Sequence, residues 1–148
     1  MSKIIPYADY PIKDSNYVTP ASISTGWLPG QVMNFDSTGQ FVQLCAGANP
    51  LFFAMDAPTE LASPPSGSLV TVLFGGGVKF VIDHSAEVAA SSATRAYESD
   101  VESAPMNSGL KVSANSKLTT AGTGSVVGVM YVIPSAANNY QLGVISRI

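Results

Sequence analysis

Ionised side chains are scarce in this chain: Asp, Glu, Lys and Arg together make up 11% of its 148 residues, where an ordinary soluble domain carries roughly a quarter. The exterior must therefore be covered largely by Ser, Thr, Asn, Gln, Gly and Ala, supplemented by apolar groups with no solvent-facing role, and such a surface suits contact more than solvation. The seven Lys and Arg are scattered singly and the net charge is -3. No basic stripe exists to neutralise phosphates, which excludes nucleic acid as an expected direct partner. One cysteine cannot close an internal disulfide. No uncharged apolar run approaches the roughly 20 residues needed to cross a bilayer, so no membrane partner is expected. The opening residues Lys3, Ile4, Ile5 and Pro6 break their apolar run too early for a signal peptide, and synthesis in a cytoplasm is the expectation.

What is present is hydrophobic: 46% of the residues, arranged mostly in short runs. The length suits one domain with a real core and possible terminal arms. Residues 1–24 stand apart, because Pro6, Pro11 and Pro20 interrupt Tyr7, Tyr10 and Tyr17 and no period of two or of 3.6 is sustained. They predict an extended N-terminal arm, either a plain disordered leader or a segment that orders on a partner. For the second role Ile4, Ile5, Tyr7, Tyr10 and Tyr17 offer anchors, with Trp27 at the arm's exit. Trp27 can equally cap the core of the domain that follows.

Residues 25–148 predict an antiparallel β-domain of eight to ten short strands, closed as a small barrel or packed as a sandwich. Residues 31–35 and 40–45 flank Asp36, Ser37, Thr38 and Gly39 as a hairpin would. Apolar runs follow at 51–55, 69–74 and 78–82. In the last of these Val78, Phe80 and Ile82 share one face, with Lys79 and Asp83 on the other. Residues 86–94 have helical propensity for one or two turns at most. Strand character returns at 95–99, 110–113 and 125–133, the last apolar on both faces as if covered on both sides. After a turn at 134–139, residues 140–148 close the domain.

The reactive residues make a poor case for catalysis, and no enzyme activity and no cofactor are expected. Asp83, His84 and Ser85 contain all three members of a hydrolytic triad, but adjacent strand residues point to opposite faces and cannot converge on one atom. Cys45 and His84 could pair only if folding brought them together, and Cys45 also suits a small buried apolar position. Gly75, Gly76 and Gly77 lack the Lys-Ser or Lys-Thr that a phosphate loop requires, which favours a turn or a bend in a sheet. Glu98, Asp100 and Glu102 alternate, either as a solvated acidic strand edge or as a weak calcium site without a glycine-turned loop. One tryptophan and dispersed tyrosines leave a thin case for a carbohydrate-binding β-sandwich module.

Three stretches carry a resemblance: residues 28–33, from Leu28 to Met33; the Val-rich pair around the triple glycine, Gly67 to Val81; and the Ala/Gly-rich turn from Thr120 into the Val127, Gly128, Val129 strand. In that order they resemble the head decoration, or capsid cement, proteins of tailed bacteriophages. The resemblance implies a β-barrel or β-tulip core and a homotrimer seated on the exterior of the virion's capsid. It also implies an N-terminal arm reaching onto the major capsid protein. Residues 131–148 depart from the smallest such proteins. A tail, neck or fibre component of the virion is the alternative within the same class.

Overall fold

A computed structural model of the protein describes residues 3–6, 13–18, 26–55 and 69–148. The architecture is all-β, as the alternating runs predict, and among the described residues no helix exceeds the five residues of the 3-10 segment Ser99–Ser103. Strands β1 (Lys3–Pro6), β2 (Lys13–Val18), β3 (Val32–Phe35), β4 (Val42–Leu44), β5 (Phe52–Ala54) and β6 (Leu69–Phe74) lead to β7 (Lys79–Asp83) and the single helical turn α1 (Ala86–Ala89). Strands β8 (Gly109–Val112), β9 (Leu118–Thr119), β10 (Gly128–Val132) and β11 (Leu142–Ser146) complete the domain.

Two open antiparallel sheets result, with orders β1-β7-β11-β10-β8-β9 and β2-β6-β5-β3-β4. The domain is therefore a sandwich and not a closed barrel. The hairpin expected at 31–45 is β3 and β4, registered Met33 to Leu44 and Phe35 to Val42. Its turn is held by Asp36, whose Oδ1 accepts from the Thr38 amide (3.2 Å) and hydroxyl (2.8 Å). The side-chain carboxylate substitutes for backbone in a tight turn, as Asp commonly does.

Residues 95–99, expected as a strand, form none beyond the isolated bridge from Tyr97 to Leu118, and residues 99–103 wind into a 3-10 turn. The triple glycine, in turn, joins strands of different sheets: β6 belongs to the five-stranded sheet and β7 to the six-stranded one. Gly75 (φ +131°) and Gly77 (φ +86°) turn this corner in the left-handed region that side chains avoid. Their amides donate to Ile148 O and Ser146 O, both at 2.7 Å.

The main core fills the space between the sheets. Val32, Phe53 and Leu73 from one side meet Phe80, Ile82, Leu110, Met130, Leu142 and Val144 from the other, with Phe53 and Phe80 edge to face at 5.0 Å between centroids. Val78, Phe80 and Ile82 point inward as their spacing predicts. A second apolar cluster lies on the opposite face of the five-stranded sheet, where Met33, Phe52, Val70 and Val72 gather with Trp27. The six-stranded sheet differs, because its outer residues Lys79, Val129, Tyr131 and Ile145 are only half-buried. The expectation that residues 125–133 are covered on both sides thus holds for the inner face alone.

Two stretches of the predicted arm pair with the domain: β1 lies along β7, with Ile4 opposite Ile82, and β2 runs along β6, with Tyr17 opposite Val70. The boundary placed at residues 24 and 25 lies outside the described residues.

Candidate functional site

Folding separates the groups that adjacency had placed together. The Asp83 carboxylate accepts from Gln141 Nε2 at 2.8 Å. His84 is buried and accepts the Ala96 amide at Nε2 (3.2 Å), its ring edge-on to Tyr97. Ser85 Oγ accepts the Val88 amide at 3.3 Å, which caps the first turn of α1. Each group is thus engaged with a different part of the chain: Gln141, Ala96 and Val88 respectively.

Cys45 is buried in the main core, and its thiol donates to Ala48 O at 3.2 Å. Burial pushes the Cys45 thiol above its ordinary pKa, with the Gly47 amide opposing. A raised pKa favours the thiol over the thiolate, and the thiolate is the nucleophilic form.

The three alternating carboxylates diverge because the 3-10 turn rotates them apart. Glu98 accepts from Ser113 Oγ (2.8 Å) and Asn115 Nδ2 (3.1 Å). Glu102 pairs with Arg95 at 2.8 Å. Asp100 turns toward the end of β9 and the residues after it, where its Oδ2 accepts from the Thr119 hydroxyl, the Thr120 amide and hydroxyl, and the Ala121 amide, at 2.6 to 3.1 Å. Burial raises the Asp100 pKa most strongly, but the Thr120 and Thr119 hydroxyls and the two amides together outweigh it and hold the carboxyl below its ordinary value. Among the described residues no three metal-ligating side chains converge.

The candidate partner anchors end in different settings. Ile4 is buried in the main core. Ile5 sits opposite Val81, and Tyr17 opposite Val70, in their strand registers. Tyr7 and Tyr10 lie outside the described residues. Trp27 is 2% exposed, packed with the second apolar cluster, so it fills the core-capping role. It also lines a cleft of about 350 Å³ with Gln31, Asn115 and Lys117. The polar groups there already serve the backbone: Gln31 accepts from the Leu28 amide and donates to Asn115 O, and Lys117 Nζ donates to Ala93 O at 2.7 Å.

Sequence reasoning passed over Arg95, which anchors a buried polar cluster. Its guanidinium is buried, donates twice to Ala89 O (3.1 and 2.7 Å), pairs with Glu102 and lies 3.5 Å from the centre of the Tyr140 ring. The Tyr97 hydroxyl reaches the Tyr140 carbonyl at 3.1 Å. These bonds pin the irregular segment 86–104 onto the end of the sandwich. In a chain with so few charges, an Arg seven residues before a Glu was the available signal.

What remains as a surface is the outer face of the six-stranded sheet. A β-bulge between Met130 and Val132 turns both Tyr131 and Val132 outward over Gly143, where an added Cβ would come within 2.9 Å of each. The Tyr131 ring crosses β11 there to donate to Phe80 O (3.1 Å), and Lys79 Nζ sits 4.5 Å from its centroid. The arrangement is aromatic and aliphatic, edged by the Lys79 ammonium.

No family model matches the chain, and no curated protein matches it. Among the described residues no helix is long and apolar enough to cross a membrane.

Proposed function

We propose that this chain is a capsid decoration protein, which binds the outer surface of a virus head as a homotrimer and stabilises the major capsid protein shell against internal pressure. The observation that supports the reading is a largely apolar sheet face left half-buried on a chain whose charged residues are only 11% of the total. Such a surface gains free energy by leaving water, and a protein partner is what removes it. The mechanism is linkage: contacts made only with the expanded shell add binding free energy to that state and oppose its rupture. Many copies on a symmetric lattice multiply a modest contribution.

The carbohydrate-binding alternative drew on Trp27 and the dispersed tyrosines, and Trp27, packed into a core at 2% exposure, offers no ring face for a sugar to stack on. A tail or neck position differs from the head position only in where the same contact chemistry is used. Co-sedimentation of the full chain with emptied, expanded heads tests the reading. Saturable binding that raises the temperature of head disruption is the expected outcome, and absence of binding would overturn it.

A further inference from the structure

Directly across the outer face of the six-stranded sheet runs one row of neighbours: Lys79 in β7, Ile145 in β11, Val129 in β10 and Gly109 in β8. The place above Gly109 is taken by Val126, whose Cγ2 would lie 3.1 Å from a Cβ there and which is 41% exposed. Three aliphatic side chains therefore form a continuous low ridge. By the two-residue alternation Lys111 lies on the same face beyond Gly109, and Arg147 follows just past the end of β11, two residues beyond Ile145. Lys79 closes the end of the row. Lys111 Nζ bonds a neutral group, Gly122 O, at 2.9 Å, and Arg147 is exposed.

In a chain of net charge -3, the described part of this face is edged by Lys79, Lys111 and Arg147 against two carboxylates. Asp83 lies four residues along β7 from Lys79 and so about 13 Å away, and Asp100 bonds the hydroxyl of Thr119, the residue opposite Lys111. Asp83 is opposite Lys3 and already bonded to Gln141. Two copies meeting through this same face would oppose cation to cation, which disfavours a two-fold self-contact. The ridge's own side chains are short aliphatics, and the aromatic beside it, Tyr131, lies across β11 with its hydroxyl bonded to Phe80 O, unlike the projecting anchors of a membrane-inserting surface.

We infer that the face formed by Val126, Val129 and Ile145, rimmed by Lys79, Lys111 and Arg147, docks on an acidic protein surface with an aliphatic centre. The inference rests on the decoration reading for the partner's identity, which makes that surface the exterior of the shell subunit. Aliphatic contact supplies the desolvated centre, and the rim supplies orientation and encounter rate.

The test uses the full chain on three probes: immobilised poly-L-glutamate, phosphatidylserine-containing vesicles and emptied expanded heads. Wild type is expected to be retained on polyglutamate at low salt and released as salt rises. Lys111→Glu/Arg147→Glu is expected to lose about tenfold in affinity there and on heads. Ser37→Glu/Gln40→Glu, on the exposed turn between β3 and β4, makes a smaller change in net charge away from the face and is expected to keep binding. Adding Ala90→Glu and Ser92→Glu, at exposed positions of the irregular segment 86–104, gives the same four-charge change. If the double reversal melts early, Arg147→Glu alone, at an exposed position, carries the comparison. Failure of folded wild type to bind polyglutamate, equal loss in the charge-matched control, or tighter binding to the vesicles lost through the same reversals would each overturn the inference. Wild type that binds heads with the reversal binding equally well refutes this face and leaves the decoration reading standing. Retention on polyglutamate that the reversal abolishes, without any binding to heads, supports the face and refutes the decoration reading.

Discussion

Asp100 shows how one residue's role depends on backbone the sequence does not announce. Its Oδ2 gathers four donors from residues 119–121 and so fixes the segment that follows β9. Asp100→Asn replaces an ionised acceptor by a neutral one and is expected to cost about 1.5–3 kcal/mol at neutral pH. The pH dependence has a definite sign. Because the folded carboxyl lies below the ordinary value of 3.8, its contribution is present above that value and is lost as pH falls through the folded pKa. Urea melts of wild type and Asp100→Asn should therefore converge as pH is lowered below about 3.8, and a gap that persists undiminished in acid would contradict the assignment. Alternating Glu98, Asp100 and Glu102 looked like a strand edge because charge spacing carries a period without its cause. The 3-10 turn is set by contacts with Arg95 and with residues 113–121, which are distant in sequence from the turn or easily overlooked beside it.

Within single elements, the legible parts are those where period and turn chemistry agree. The β3 and β4 hairpin was readable because Asp36 and Gly39 bracket a turn between two alternating runs, and β7 because Lys79 and Asp83 mark its outer face. The bulge in β10 was not readable, since an inserted residue shifts side chains without leaving a compositional mark. Its partner, Gly143, sits in an apolar strand where it looked incidental. An Ala there would bring Cβ to 2.7 Å from the Val132 Cβ and 2.9 Å from the Tyr131 ring. Gly143→Ala is expected to destabilise by about 1–3 kcal/mol and to displace Tyr131 from the Phe80 carbonyl. Gly76→Ala, where nothing lies within 4 Å, should change stability little. A thermal melt with tyrosine fluorescence checks both variants, and equal melting temperatures would remove the steric argument for the bulge.

At the scale of the molecule, the β-class was legible from many short apolar runs, whereas the assignment of strands to sheets was not. A run, a triple glycine and another run look the same whether the glycines close a hairpin or turn a corner between sheets, and only the long-range partners of β6 and β7 decide it. The same limit hid the place of the arm. Edge strands need satisfy only one neighbour and one buried face, so β1 and β2 carry no sustained period, yet each completes an edge of a different sheet. Ile4 of β1 enters the main core at 6% exposure. Removing residues 1–24 would strip one strand from each sheet and leave the ladders of β7 and β6 open to pairing with other chains. The shortened chain is expected to lose at least about 3 kcal/mol, from the buried Ile4 side chain and the ladder hydrogen bonds. That corresponds to a fall on the order of 10 °C in Tm, with concentration-dependent association measured by light scattering. Ile4→Ala separates core from edge, because it should reproduce part of the loss in Tm while leaving both ladders paired and the chain dispersed. A shortened chain that melts like the full one and stays dispersed would mean that β1 and β2 contribute nothing to the sandwich and are available, as a free arm would be, to a partner.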